Sequence, residues 1–307
     1  MQISTSYLFD RASKQMVSIQ NDLAKSQQEI AAQKQVLNPS DAPNQAASIT
    51  RFKSVIARQD TYTLALGQVQ ARLDTESANL TTAGDVLVRI KELAIQASNG
   101  TQGTVSRKAI STEMKGLRNQ LLSLSNSTDA SGNYIFSGSK VNTKAFTQDS
   151  KGNIEYTGDQ TRMHVAVGEQ RTLPLNRPGT NAFVRVVRTN PDNSEQGVGF
   201  FTAVDDLIDG VDNGITSKMQ RGLTEMNTLH TGVVMAQADV GTDMKVVEQQ
   251  GAVVDDTKLS LKVALSNVED LDMTTAVTNM QKLMLSLEAA QATFAKTSQM
   301  SLFKYLG

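Results

Sequence analysis

The chain has 307 residues, with 30 Lys and Arg against 31 Asp and Glu, so its formal charge is -1. That balance gives no electrostatic case for a nucleic-acid partner, and the absence of Cys excludes disulfides and thiolate metal sites. The length predicts about two domains. No apolar run is long enough to cross a bilayer, and the opening MQISTSYLFDRASKQ lacks the basic and apolar regions of a cleavable signal.

A heptad rhythm comes first. Phe9, Ala12, Met16, Ile19, Leu23, Ser26, Ile30, Gln33 and Leu37 alternate spacings of three and four, which puts them on one stripe of a helix. Ser26 and Gln33 weaken that stripe. It is expected to stop at NPSDAP, where Pro39 disfavours helix at Asn38, and Ser40 or Asp41 caps the next helix with Pro43 in its first turn. The second stripe runs from Phe52 through Leu66, Leu73, Leu80, Leu87 and Ile90 to Ala97 and ends at Asn99-Gly100. A third carries Ile110, Met114, Leu117, Leu121 and Leu124, and the short link predicts an antiparallel pair.

The period changes near GNYIFSGS, from Gly132 to Ser139. IEYTG, RMHVAVG and NAFVRVV are short, β-branched and bounded by Gly, Pro and Asn, so a small β-rich unit is predicted, closed by a helix at FFTAVDDLIDGVDNG. Tyr134 and Phe136 are expected to seal the bundle where it meets that unit, the glycines permitting the change of direction. The helical rhythm then returns with Met219, Leu223, Met226, His230, Val233 and Val240. The last helix carries Val277, Met280, Met284, Leu287 and Phe294 on one stripe, with Leu283 and Ala290 beside it and an apolar tip at Leu302, Phe303 and Leu306. A helix apolar on two adjacent sides needs two partners. The assembly interface is therefore expected at Phe9, Met16, Ile19, Leu23, Ile30, Met280, Met284, Leu287, Phe294, Leu302 and Phe303.

Chemistry is hard to place. The two histidines, His164 and His230, fall in a predicted strand and on a helix stripe, and no P-loop, GxSxG or HExxH occurs. No catalytic, cofactor or metal residues are assigned. Asp205, Asp206, Asp209 and Asp212 lack the alternation of a calcium loop and are expected to form a solvated helix face. Asn79, Asn99 and Asn126 head N-x-Ser/Thr triplets, expected to be an exposed helix residue and two end caps.

Two stretches carry a family resemblance. Arg89-Ile90-Lys91-Glu92-Leu93-Ala94-Ile95-Gln96-Ala97-Ser98-Asn99-Gly100-Thr101 resembles the R-x-x-E-L-A-x-Q-x-x-N-G-T signature of bacterial flagellins, and Ser266-Asn267-Val268-Glu269-Asp270-Leu271-Asp272 is similar to their S-x-I-E-D-x-D. Together they place about 1–140 and 215–307 in that superfamily. MQIST, NPSDAP, NSTDASGNYIFSGSKVNTKAF and SQMSLFKYLG resemble its hook–filament junction branch, the third hook-associated proteins. Ala42, and the lack of a tyrosine after Asp272, depart from the pattern.

The resemblance implies a mainly α, flagellin-like fold. Both termini, 1–44 and 262–307, would form a coiled-coil assembly and export domain. Residues 45–137 and 214–261 would form a helical rod domain, and 138–213 a β-rich outer insert. It implies a non-enzymatic structural subunit, secreted by the flagellar type III route to the extracellular hook–filament junction. The implied partners are a homo-oligomeric ring of copies, the hook-side junction protein (the first hook-associated protein), flagellin and the filament cap, and a cytoplasmic export chaperone, with no nucleic acid and no membrane. Flagellin itself, or a secreted helical-stalk binding protein, stays open as an alternative.

Overall fold

The computed structural model describes the backbone of residues 2–100, 102–150, 152–189 and 194–306, and within these the side chains of 7 and of 9–296. Seven helices and six short strands are described. They are α1 (Gln2–Ala32), α2 (Pro43–Ser98), α3 (Thr104–Ser125), β1 (Phe146–Gln148), β2 (Ile154–Tyr156), β3 (His164–Ala166), β4 (Thr172–Pro174), α4 (Gly179–Ala182), β5 (Val186–Thr189), β6 (Glu195–Val198), α5 (Phe200–Asn213), α6 (Thr216–Glu269) and α7 (Met273–Leu306). The chain divides into two compact units, residues 1–59 with 256–307 and residues 60–255.

In the first unit α1 lies along α7. The stop of α1 differs from the expected one. Its stripe continues to Leu37, yet the helix ends at Ala32. Gln33 there adopts φ 56°, the left-handed conformation usually reserved for glycine after a helix. The orphan carbonyls are taken up by the Gln33 amide, which donates to Ile30 at 3.3 Å, and by the Lys34 amide, which donates to Glu29 at 3.2 Å. The expected cap of α2 also moves. Asp41 turns back and accepts the Asn38 amide at 3.2 Å, so Ala42 stands at the N-cap with Pro43 as the first helical residue.

The second unit is built on α3 and on the parts of α2 and α6 within residues 60–255. Arg89 reaches Glu113 while Asn79 reaches Ser127, so α2 and α3 are antiparallel. Lys91 reaches Asn227 and Gln237 reaches Thr81, so α6 is antiparallel to α2. Their facing rows, including Leu80, Leu87, Ile90, Met114, Leu121, Met226 and Leu229, are fully buried. Gly84 lies opposite His230, whose Nε2 would stand 4.0 Å from a Cβ at that position. The strands form three separate antiparallel hairpins, β1–β2, β3–β4 and β5–β6. IEYTG and RMHVAVG contain β2 and β3. NAFVRVV is split, because α4 takes its first residues and the strand begins only at Val186. Two-stranded ribbons are marginal alone. Here β1–β2 contributes Phe146 and Tyr156 to a cluster of rings in which Phe183 packs edge-on against Phe136, Phe146 and Phe200 at 5.2–5.4 Å.

Candidate assembly surfaces

The functional candidates fall in both units, and each is built from local sequence logic. In the first unit Met16, Ile19, Leu23 and Ile30 of α1 are half-buried, as are Met280, Leu283, Leu287, Ala290 and Phe294 of α7. The latter are spaced three and four apart, the seam of a helix pair. The rings of Phe9 and Phe294 approach to 4.5 Å. Met284 lies off that seam and is 44% exposed, next to Leu285 at 68%. On α1, Tyr7, Phe9 and Val17 are also exposed. Leu302 and Phe303 belong to α7, but their side chains lie outside the described residues. Beside the Phe9–Phe294 contact a groove of about 570 Å³ opens between α1 and α7, with Ile19 and Ala290 on its walls. Apolar surface is thus left uncovered on two helices that already have each other.

The second motif, Ser266 to Asp272, ties the other end of this unit. Glu269 is buried, and its carboxylate accepts from Lys34 Nζ at 2.7 Å and Lys53 Nζ at 2.8 Å. The backbone completes the joint. The Gln35 amide donates to the Glu269 carbonyl at 3.0 Å and the Leu271 amide to the Gln33 carbonyl at 3.1 Å. Ser266 Oγ donates to Asp270, and Asp272 caps α7 by accepting the Thr274 amide at 3.0 Å and the Thr275 hydroxyl at 2.7 Å. Hydrogen bonds from Lys34 and then Lys53 hold the Glu269 carboxyl below the ordinary carboxylate range. Its folded pKa is depressed, so its stabilisation is present above the unfolded value of about 4.3 and is lost as pH falls through the lower folded value. Glu269→Gln should therefore speed amide exchange at residues 33–35 and 268–272 at pH 7, and the difference from the parent protein should shrink in acid. Equal exchange at pH 7 would show that the carboxylate does not secure the joint.

In the second unit one expectation is corrected. The four aspartates of α5 stay partly exposed, but each is paired and none forms a free solvated face. Asp205 accepts two bonds from Arg118 at 2.8 and 2.9 Å, Asp206 pairs with Arg188 at 2.5 Å, and Asp209 pairs with Lys218 at 2.5 Å. Asp212 accepts from Ser111 at 3.0 Å and Lys115 at 3.1 Å. Hydrogen bonds from Lys218 lower the Asp209 carboxyl, and those from Lys115 and Ser111 lower that of Asp212. The cations come from α3, β5 and α6, too far along the chain for the periodicity of α5 to reveal them. The motif arginine Arg89 bridges Glu113 at 2.8 Å and Glu92 at 3.3 Å.

GNYIFSGS stands where α3 gives way to the hairpins. Gly138 has φ 71°, and a Cβ there would fall 2.2 Å from Asp159 Oδ1, so only glycine fits. Phe136 is fully buried, and its carbonyl accepts from the Gly179 amide at 2.8 Å and the Tyr156 hydroxyl at 3.1 Å. Tyr134 is half-buried on the wall of an open cleft of about 640 Å³ that Asn126, Lys144 and Gln148 also line. Asn126 both ends α3 and clasps β1, donating to the Phe146 carbonyl at 2.8 Å and accepting its amide at 2.9 Å. Beneath the stretch Arg72 donates to Asp129 at 3.2 Å and to the Ile135 carbonyl at 3.0 Å. Nearby, buried Arg177 binds buried Glu76 at 2.8 Å, Asp243 at 2.7 Å and Asp239 at 3.2 Å. His164 is exposed on β3, its Nδ1 3.1 Å from the Arg162 carbonyl, and His230 is half-buried against α2.

Residues 3–141 match the family model described as the bacterial flagellin N-terminal helical region, and residues 223–306 match the bacterial flagellin C-terminal helical region. The chain belongs to the bacterial flagellin family. Within that flagellin family it is 26% identical over 320 residues to a Salmonella typhimurium protein named flagellar hook-associated protein 3, with 99% of each chain covered. An Escherichia coli protein of the same name gives the same identity and coverage. Among solved structures, a putative flagellar hook-associated protein from Vibrio parahaemolyticus superposes with a TM-score of 0.67 at 17% identity, over 75% of this chain and all of the other. Xanthomonas campestris FlgL gives 0.62 at 20% identity, over 71% of this chain and 99% of the other. The flagellin-like fold joins mostly helical terminal regions to a small strand-bearing insert.

Proposed function

We propose that the chain is a structural subunit of the bacterial flagellum at the junction between hook and filament. The observation that carries this reading is likeness over 99% of both lengths to proteins named flagellar hook-associated protein 3. The half-covered faces of α1 and α7 support it, because exposed contiguous apolar surface marks an interaction site. In this reading the terminal helices meet neighbouring copies in a ring. The hook-side junction protein, flagellin and the filament cap are the other contacts, and an export chaperone covers α7 before secretion by the type III route. The termini 1–44 and 262–307 then act as the assembly domain, 45–137 and 214–261 as the rod, and 138–213 as the outer insert. The work is mechanical: the chain binds and orders its neighbours without turnover.

The test is a strain lacking this chain. Cells with hooks but no filaments, releasing flagellin into the medium, are the expected result, and full-length protein should restore filaments. A form ending before Val277 should fold in residues 60–255 by circular dichroism yet restore none. Filaments of normal number on cells lacking the whole chain would overturn the reading.

A further inference from the structure

Two Asn-Gly pairs occur in this chain, Asn99-Gly100 and Asn213-Gly214. Each stands just past the end of a helix, or at its last residue, where glycine is the expected stop. The fold treats them in opposite ways.

At Asn213-Gly214 every participant is held. The Asn213 side-chain amide donates to Asp209 Oδ1 at 2.7 Å and to the Asp209 carbonyl at 3.3 Å. Asp209 is itself fixed by Lys218. Gly214 has φ 66°, and its amide donates to the Val211 carbonyl at 3.4 Å. The Arg107 guanidinium lies over it, so that a Cβ at Gly214 would fall 3.2 Å from Nη2.

At Asn99-Gly100 both residues are exposed, and a Cβ at Gly100 would meet nothing within 4 Å. Asn99 opens the turn after α2, its carbonyl accepting the Gln102 amide at 3.0 Å. Among the described residues, neither its side chain nor the Gly100 amide has a partner.

We infer that Asn99 is a site of spontaneous deamidation and isoaspartate formation, and that the fold protects Asn213 from the same chemistry. The Gly100 backbone nitrogen attacks the Asn99 side-chain carbonyl carbon. A bond forms between them, and the bond from that carbon to Nδ2 breaks. Nδ2 leaves as ammonia, carrying the proton lost by the Gly100 nitrogen. Water then opens the resulting succinimide at one carbonyl or the other, giving aspartate or isoaspartate with no change of oxidation state. Glycine permits the attack because it has no side chain to crowd the nitrogen. The same attack at Asn213 requires breaking its bonds to Asp209, lifting Gly214 from its helix-end contact and displacing Arg107. The product at Asn99 carries a new negative charge at the α2–α3 turn and, in the isoaspartate form, one additional backbone carbon. The inference is independent of the function proposed above.

The experiment incubates the full chain, folded and in urea, in mildly alkaline buffer. Peptides containing each Asn are followed by mass and by methylation with a protein-isoaspartate methyltransferase. In the folded protein, conversion at Asn213 should be at most about a tenth of that at Asn99, the ratio imposed by a local opening costing about 1.4 kcal/mol or more. In urea the two should convert at similar rates. Gly100→Ala should slow Asn99 in both conditions. Comparable conversion of the two sites in the folded chain would overturn the inference, and so would an Asn99 that converts in urea but not when folded.

Discussion

Replacing Phe136 with alanine should lower the stability of the second unit by about 3–5 kcal/mol, the range for deleting a fully buried phenylalanine. The ring is inaccessible to solvent, and its edge-on contact with Phe183 at 5.4 Å joins it to the ring cluster that includes Phe146 and Tyr156 of the β1–β2 hairpin. Little can move in to fill the space. Ile135 and Ser137 beside it are also fully buried, and the Phe136 carbonyl is fixed by Gly179 and Tyr156. Tyr134→Ala is the matched control, because that side chain lies two residues away but lines an open cleft. Urea denaturation monitored by circular dichroism should show a large shift for the first variant and a small one for the second. An unchanged midpoint for Phe136→Ala would mean that the ring cluster does not hold the second unit together.

Arg177→Ala should cost a similar amount by another route. Removing one partner of a buried ion pair leaves the other charge stranded, which typically costs about 3–5 kcal/mol. Arg177 and Glu76 have side-chain exposures of 6% and 3%, so the pair is shielded from solvent while the guanidinium is in place. Burial already pushes the Glu76 carboxyl upward, with Arg177 as the main opposing influence and Arg72 as a smaller one. Without Arg177 the folded pKa rises further above the unfolded value of about 4.3, and the folded state binds more protons than the unfolded one. The variant's stability should then fall as pH rises from about 4.3 towards the raised folded value, and Glu76→Gln in the same background should remove that slope. A variant with the parent's stability and no added pH dependence would show that the network is incidental.

The sequence exposes some of this architecture and hides the rest for identifiable reasons. The rows from Leu66 to Ala97 and from Met219 to Val240 are legible because two neighbouring helices bury one face each, which leaves a period. The change of period at Gly132 is legible because glycines and short β-branched runs mark it. The hairpins β1–β2 and β5–β6 are only partly visible, since strands of three or four residues give too few alternations. The acidic run of α5 reads as solvated because nothing local distinguishes a free carboxylate from one paired with Arg118, 87 residues away. Arg177 is hidden for the same reason, its acceptors lying 62 to 101 residues distant. On α7, counting puts Met284 on the main stripe and Leu283 beside it, and the structure reverses the two. Half-burial at Met280, Leu283 and Leu287, with Met284 at 44% exposure, settles the choice.

The end of α1 has a mechanical meaning. Gln33 holds a left-handed backbone at φ 56°, which costs a residue with a side chain roughly 1–2 kcal/mol. The heptad spacing of α1 runs on past it to Leu37, although Gln33 fills its slot with a polar side chain, and the helix itself ends at Ala32. At that same point Gln33–Gln35 and Val268–Leu271 are clasped together, centred on Glu269. The clasp acts as a latch closed against a sprung residue. Opening it would give back the cost held at Gln33, so a partner that pulls on this loop works against less than the full strength of its contacts.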